Sequence, residues 1–194
     1  MEVLTRKHTT FVLLLVFFLA WGYLLSTYEP EEIVHFLGIT NVYLVVFLAS
    51  IIGGVSTIFA GSFYATIITF ALGGLDPFML GIFAGIGATI GDSIFFYFGL
   101  KGRDVLSGRW REKMLIFSAW LQRQNRVVVA IVIFLYAGFT PLPKDLLVVA
   151  LAIGDYRYRK MIPPLLLGNI FLVSLISYFI LKVNEVDGAN IFLS

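Results

Sequence analysis

From Val127 to Gly154 runs an apolar segment long enough to cross a bilayer, yet cations stand at both of its ends. Arg123 and Arg126 precede it, and Arg157, Arg159 and Lys160 follow it. Short loops rich in Lys and Arg stay on the cytoplasmic side of a membrane, so a segment flanked by them twice must enter and leave through one face. Its centre supplies the turn. Pro141 and Pro143 have no backbone N–H to donate and push Thr140 and Leu142 away from helical angles, so an entering helix stops there. The expectation is a re-entrant helical hairpin over residues 127–154.

Composition agrees with a bilayer setting. Hydrophobic residues make up 59% of the 194, and charged ones only 13%, which is outside the range of one soluble domain and predicts an integral membrane protein. The absence of cysteine excludes disulfides, thiolate metal sites and iron-sulfur clusters, and His8 and His35 cannot form a histidine-rich site. No metal, no cofactor and no nucleic-acid partner is expected.

Twelve of the fourteen basic residues fall in three segments: Arg6 and Lys7; the loop from Lys101 to Arg126; and Arg157, Arg159 and Lys160. Placing all three in the cytoplasm sets the N-terminus inside and the acidic C-terminal tail, with Glu185 and Asp187, outside. One membrane domain spanning 1–194 follows: a transmembrane helix over 10–28, read as a retained signal anchor; an outer re-entrant hairpin over 42–75; a transmembrane helix over 77–100; an amphipathic helix on the cytoplasmic surface over 104–124; the inner hairpin over 127–154; and a transmembrane helix over 161–182. The stretch 42–75 is tight for two full crossings at about 20 residues each, and it is broken by Gly53-Gly54 and Ala60-Gly61-Ser62. In 104–124, apolar residues recur at helical spacing opposite a basic face; a linker helix packed on the bundle is the alternative. A short helix from Pro30, ending at Gly38, is expected on the outer surface. The fold class is thus an all-α polytopic membrane protein, an inverted repeat with two opposed re-entrant hairpins and interfacial helices. A shift of 81 residues sets Ala71-Leu72-Gly73 on Ala152-Ile153-Gly154 and Gly87 on Gly168, and paired interrupted segments in inverted halves point to a midplane site.

Candidate site residues follow from cost. Bare backbone inside hydrocarbon must be enclosed or face water, and ionisable groups at that depth cost roughly 2.5 to 3.5 kcal/mol each on insertion scales. Lys144 and Asp145 begin the returning half-helix, whose free N–H groups favour an anion. Substrate-binding candidates are Ser62 and Thr66 in the first hairpin and Thr140, Lys144 and Asp145 in the second; Asp92 and Asp145 are candidates for proton coupling or charge balance. Against these stand simpler roles: Asp145 matching its own helix dipole, Lys144 reaching up to water, Asp92 as a structural partner, and Asn169 as a helix-packing contact.

The residues carry a resemblance as well. Ala60-Gly61-Ser62, the run Gly87-Ala88-Thr89-Ile90-Gly91-Asp92 followed by Tyr97, Gly99 and Gly102, and Phe139-Thr140-Pro141-Leu142-Pro143-Lys144 resemble the DedA family, also called the VTT domain or SNARE-associated Golgi protein family, in its shorter YqaA-like branch. The resemblance implies opposed re-entrant hairpins and lipid translocation in a prokaryotic cell membrane. The acids usual in the first hairpin and the arginines usual at the second tip are missing: Ser62 stands at the first, and Lys144 is the one cation at the second.

The function expected is translocation of a phosphate-headed lipid, polyprenyl phosphate or phospholipid, with membrane lipids as partners and a homo-oligomer left open. The alternative is an ion-coupled carrier of a small anion. A lipid phosphatase or phosphotransferase would need a reactive histidine pair or a paired-aspartate metal site, neither of which this sequence offers; an enzyme is not expected. A purely structural membrane protein is the remaining alternative.

Overall fold

The computed structural model describes residues 30–55, 60–103, 109–140 and 144–191, and among them every regular element is an α-helix. The expected transmembrane helix 10–28 and the Pro-Leu-Pro tip 141–143 lie outside the described residues. In chain order the helices are α1 (Pro30–Leu37), α2 (Ile39–Val55), α3 (Ala60–Leu72), α4 (Pro77–Arg103), α5 (Arg109–Arg123), α6 (Arg126–Phe139), α7 (Lys144–Ile153) and α8 (Tyr158–Ile191).

Local chemistry sets these limits. Pro30 opens α1, and Gly38, at φ +77°, closes it by donating to the Val34 carbonyl. Asp76 caps α4, its carboxylate accepting from the Met79 N–H at 2.8 Å, with Pro77 in the first helical position, where its missing N–H costs nothing. Asn125 caps α6 in the same way, accepting from Val127 at 3.0 Å.

Among the described residues only α4 and α8, at 27 and 34 residues, contain stretches long and apolar enough to cross a membrane, Pro77–Lys101 and Tyr158–Asn184. The arms α2, α3, α6 and α7 have 17, 13, 14 and 10 residues. At about 1.5 Å per residue even α2 falls short of a hydrocarbon core of about 30 Å.

Both halves follow one plan. After α3, Gly73, Gly74 and Leu75 donate to the carbonyls of Thr69, Ala71 and Phe70; after α7, Gly154, Asp155 and Tyr156 donate to those of Ala150, Ala152 and Leu151, each atom 81 residues further on. Gly74 and Asp155, also 81 apart, both hold positive φ, 79° and 55°. This is the same Schellman closure made twice. The next helix then starts at Pro77 in one half and Tyr158 in the other, again 81 apart.

Close crossings repeat too. A Cβ added to Gly87 would meet the Phe47 carbonyl oxygen, the Ser50 Cβ and the Ile51 nitrogen; one added to Gly168 would meet the Phe134 carbonyl oxygen, the Ala137 Cβ and the Gly138 nitrogen. Those partners are 87 residues apart, because the second arm pair is six residues shorter between its first arm and its return. Each long helix therefore crosses the first arm of its own half at a glycine, with backbones nearly touching.

Equivalent positions also build the two apolar cores. One contains Val42, Val46, Ile67, Phe70, Ala71, Leu80 and Ala84; the other contains their counterparts Val129, Ile133, Val148, Leu151, Ala152, Met161 and Leu165. The long helices run antiparallel, Gly81 lying against Ser174, Gly85 against Ile170 and Phe96 against Tyr158, so the second half is inverted relative to the first. The return arms exchange: α3 packs on α8 and α7 on α4.

The helix α5 settles Leu121 and Phe117 on Gly154 at the end of α7 and leaves Leu115, Ile116 and Trp120 exposed beside Glu112, Lys113 and Arg123. It is both packed on the bundle and apolar on an outer face.

Candidate functional site

Between the two cores, near the middle of both long helices, polar side chains converge. Helix α4 contributes Thr89, Asp92 and Ser93, and α8 contributes Asn169, all buried, with Asp92 and Asn169 each only 1% exposed. The start of α7 contributes Lys144, half-buried. Its ammonium donates to Asn169 Oδ1 at 2.6 Å; Asn169 Nδ2 donates to Asp92 Oδ2 at 2.9 Å and to Thr89 Oγ1 at 3.0 Å. The Thr89 hydroxyl donates in turn to the Gly85 carbonyl at 2.7 Å, and Ser93 donates to the Thr89 carbonyl at 2.6 Å.

The chemistry fixes the orientation of the amide. An ammonium only donates, so the oxygen of Asn169 must face Lys144, leaving its NH₂ for an acceptor, which the Asp92 carboxylate provides. One asparagine thus joins a cation and an anion that are not in direct contact. The carboxylate and the ammonium balance formally, which offsets part of the cost of taking each from water. Asp145 and the Tyr64 hydroxyl on α3 lie within electrostatic range of Asp92.

Of the residues expected from sequence, Asp92 and Lys144 are brought together, with Asp145 beside them. Thr140 turns back on its own helix, its hydroxyl donating to the Tyr136 carbonyl. Thr66 is buried on α3 with an interaction of its own. Ser62 lies in the first turn of α3, and its side chain falls outside those described. Asn169, expected only as a packing contact, is the hub. Its one sequence signal is an uncharged polar residue in the long apolar run after Pro164, and nothing in spacing ties it to Asp92, 77 positions earlier. Among the described residues no cluster of His, Asp or Glu is suited to hold a metal ion.

Compared with family models, with curated proteins and with solved structures, the chain matches none.

Proposed function

We propose that this chain is an integral membrane protein that moves a phosphate-headed lipid between leaflets, the headgroup engaging Lys144 at the start of α7. The observation that carries the reading is the chain Lys144–Asn169–Asp92, a charge-balanced polar site set between two inverted halves. Membrane residence is supported by the outer face of α4, where Phe83, Ile86, Ile90, Ile94 and Phe98 are all exposed at helical spacing; a helix in water would present polar groups there. The short arms favour re-entrant pairs: α2 and α3 dip from one face, α6 and α7 from the other, and the basic segments mark the cytoplasmic side. The resemblance to the DedA family points to the same architecture and cargo.

In the working cycle an incoming phosphate competes with Asn169 for the Lys144 ammonium. An anionic phosphate is the stronger partner, because it meets the ammonium with a full negative charge where Asn169 offers only a neutral amide oxygen. Asn169 then keeps Asp92 as its partner, and the carboxylate is free to take a proton once Lys144 turns to the ligand. The lipid tails stay in the bilayer throughout.

The test is transport in liposomes. The purified chain should accelerate movement of fluorescent phospholipid or polyprenyl phosphate between leaflets, and Lys144→Ala and Asp92→Asn should each reduce the rate at least tenfold, about 1.4 kcal/mol in barrier. Unchanged rates in both variants would remove the mechanism. Flux of inorganic phosphate in place of lipid would move the assignment to an anion carrier.

A further inference from the structure

A second site lies apart from the Lys144 network. Between α6 and α8, at the end of the bundle where both helices begin, a groove of about 530 Å³ opens along the surface. Its walls are apolar, with Ile131, Phe134 and Leu167 along its length, while Arg126, Tyr156 and Lys160 stand at the end nearest the basic segments. Arg126 and Arg157 are both close enough to Lys160 to repel its ammonium. Among the described residues no carboxylate lines the groove; Asp155, next to Tyr156 in the chain, has an interaction of its own. The cations therefore crowd together on an apolar furrow without an acidic lining residue to balance them.

The backbone adds to this. Pro163 and Pro164 lie inside α8 and line the groove. Without N–H groups they cannot bond the carbonyls of Arg159 and Lys160, four residues earlier. Those two carbonyls therefore lack their usual helical donors on the side of α8 where the prolines line the groove.

We infer that this groove holds one anionic phospholipid, its phosphate between Arg126 and Lys160 and an acyl chain along Ile131, Phe134 and Leu167. Charge complementarity selects an anion, and the apolar walls select one that carries a hydrocarbon tail; basic pockets between membrane helices recognise lipid headgroups in this way. The inference rests on membrane residence but not on lipid transport, and none of its residues belongs to the Lys144 network.

The experiment uses the full chain, delipidated in detergent, titrated with phosphatidylglycerol or phosphatidylcholine and read by native mass spectrometry. One phosphatidylglycerol should be retained in preference to phosphatidylcholine. The pair Arg126→Gln and Lys160→Gln should weaken phosphatidylglycerol roughly thirtyfold, as expected for two basic contacts at a membrane surface, while leaving phosphatidylcholine and the melting temperature unchanged. Leu167→Ser should weaken the lipid with its charges intact. Equal retention of the two lipids, or phosphatidylglycerol retention that ignores the paired substitution, would overturn the proposal. So would complete displacement by millimolar inorganic phosphate, which would mark an anion site that ignores the acyl chain. Transport unaffected by the pair leaves the proposal standing, whereas failure of the chain to enter nanodiscs would refute membrane residence itself.

Discussion

Where the second half of the molecule places Lys144 and Asp145, at the start of α7, the first half has Phe63 and Tyr64, 81 residues earlier near the start of α3. Opposite Asp92 on α4 stands Val173 on α8, and opposite Asn169 stands Ala88. Yet the turns, the starts of the first arms and long helices, the glycine crossings and the core positions of the two halves coincide. Repetition therefore keeps what backbone packing requires and drops what chemistry does not. A symmetric copy of the site would bury a second cation and carboxylate at roughly 2.5 to 3.5 kcal/mol each, for a site that both halves already enclose.

The largest effect should come from unbalancing the site. Lys144→Met leaves Asp92 sealed in the bundle without its cation and should cost up to about 3–5 kcal/mol. Asp92→Asn costs less, because half-buried Lys144 retains access to water. The double substitution should recover much of the loss in thermal unfolding, since it removes both charges. Equal and additive losses would show that the two groups do not act as a pair.

Next come the crossings. At Gly87 a Cβ would lie 2.4 Å from a backbone oxygen, whereas at Gly168 its nearest neighbour is the Ala137 side chain at 2.8 Å. Gly87→Ala should therefore destabilise more than Gly168→Ala, the first by about 1–3 kcal/mol. Reversal of that order would break the correspondence drawn between the halves.

The smallest effect separates the two turns. Asp155 holds a left-handed conformation that glycine adopts without penalty, and its counterpart is already Gly74. Gly74→Ala should cost about 1 kcal/mol, and Asp155→Gly less, because glycine relieves the left-handed strain even as the Asp155 side chain is lost. Melting temperatures of the two variants read the difference.

Much of the fold was legible because long apolar helices declare themselves by their length and by the charges and prolines that bound them. The helices Pro77–Arg103 and Arg126–Phe139 begin within a residue of the expected positions, where Pro77 and the basic loop mark the start. Tyr158–Ile191 begins three residues before the expected 161, since the Schellman turn at Gly154 hands the chain directly to the next helix and carries Pro163 and Pro164 inside it. The repeat was visible through glycine, which close crossings and positive φ demand, but not through the apolar partners, where any aliphatic fills the space. Within the site the charges stood out and the amide did not. Asn169 acts through contacts made by tertiary packing, and sequence spacing is silent on those.

In the proposed topology both arm pairs turn back within the hydrocarbon, from opposite faces. Because the chain has no cysteine, single cysteines can be placed at Asn41, Thr57, Asp76, Gln122, Thr140 and Arg157 and treated with a bulky membrane-impermeant thiol reagent from either side. With re-entrant arms, positions 41 and 76 should react from one face and 122 and 157 from the other, with 57 unreactive from the face of 122 and 140 unreactive from the face of 41. Labelling of 57 from the face of 122, or of 140 from the face of 41, would mean that those arms cross the bilayer completely and would contradict the proposed topology.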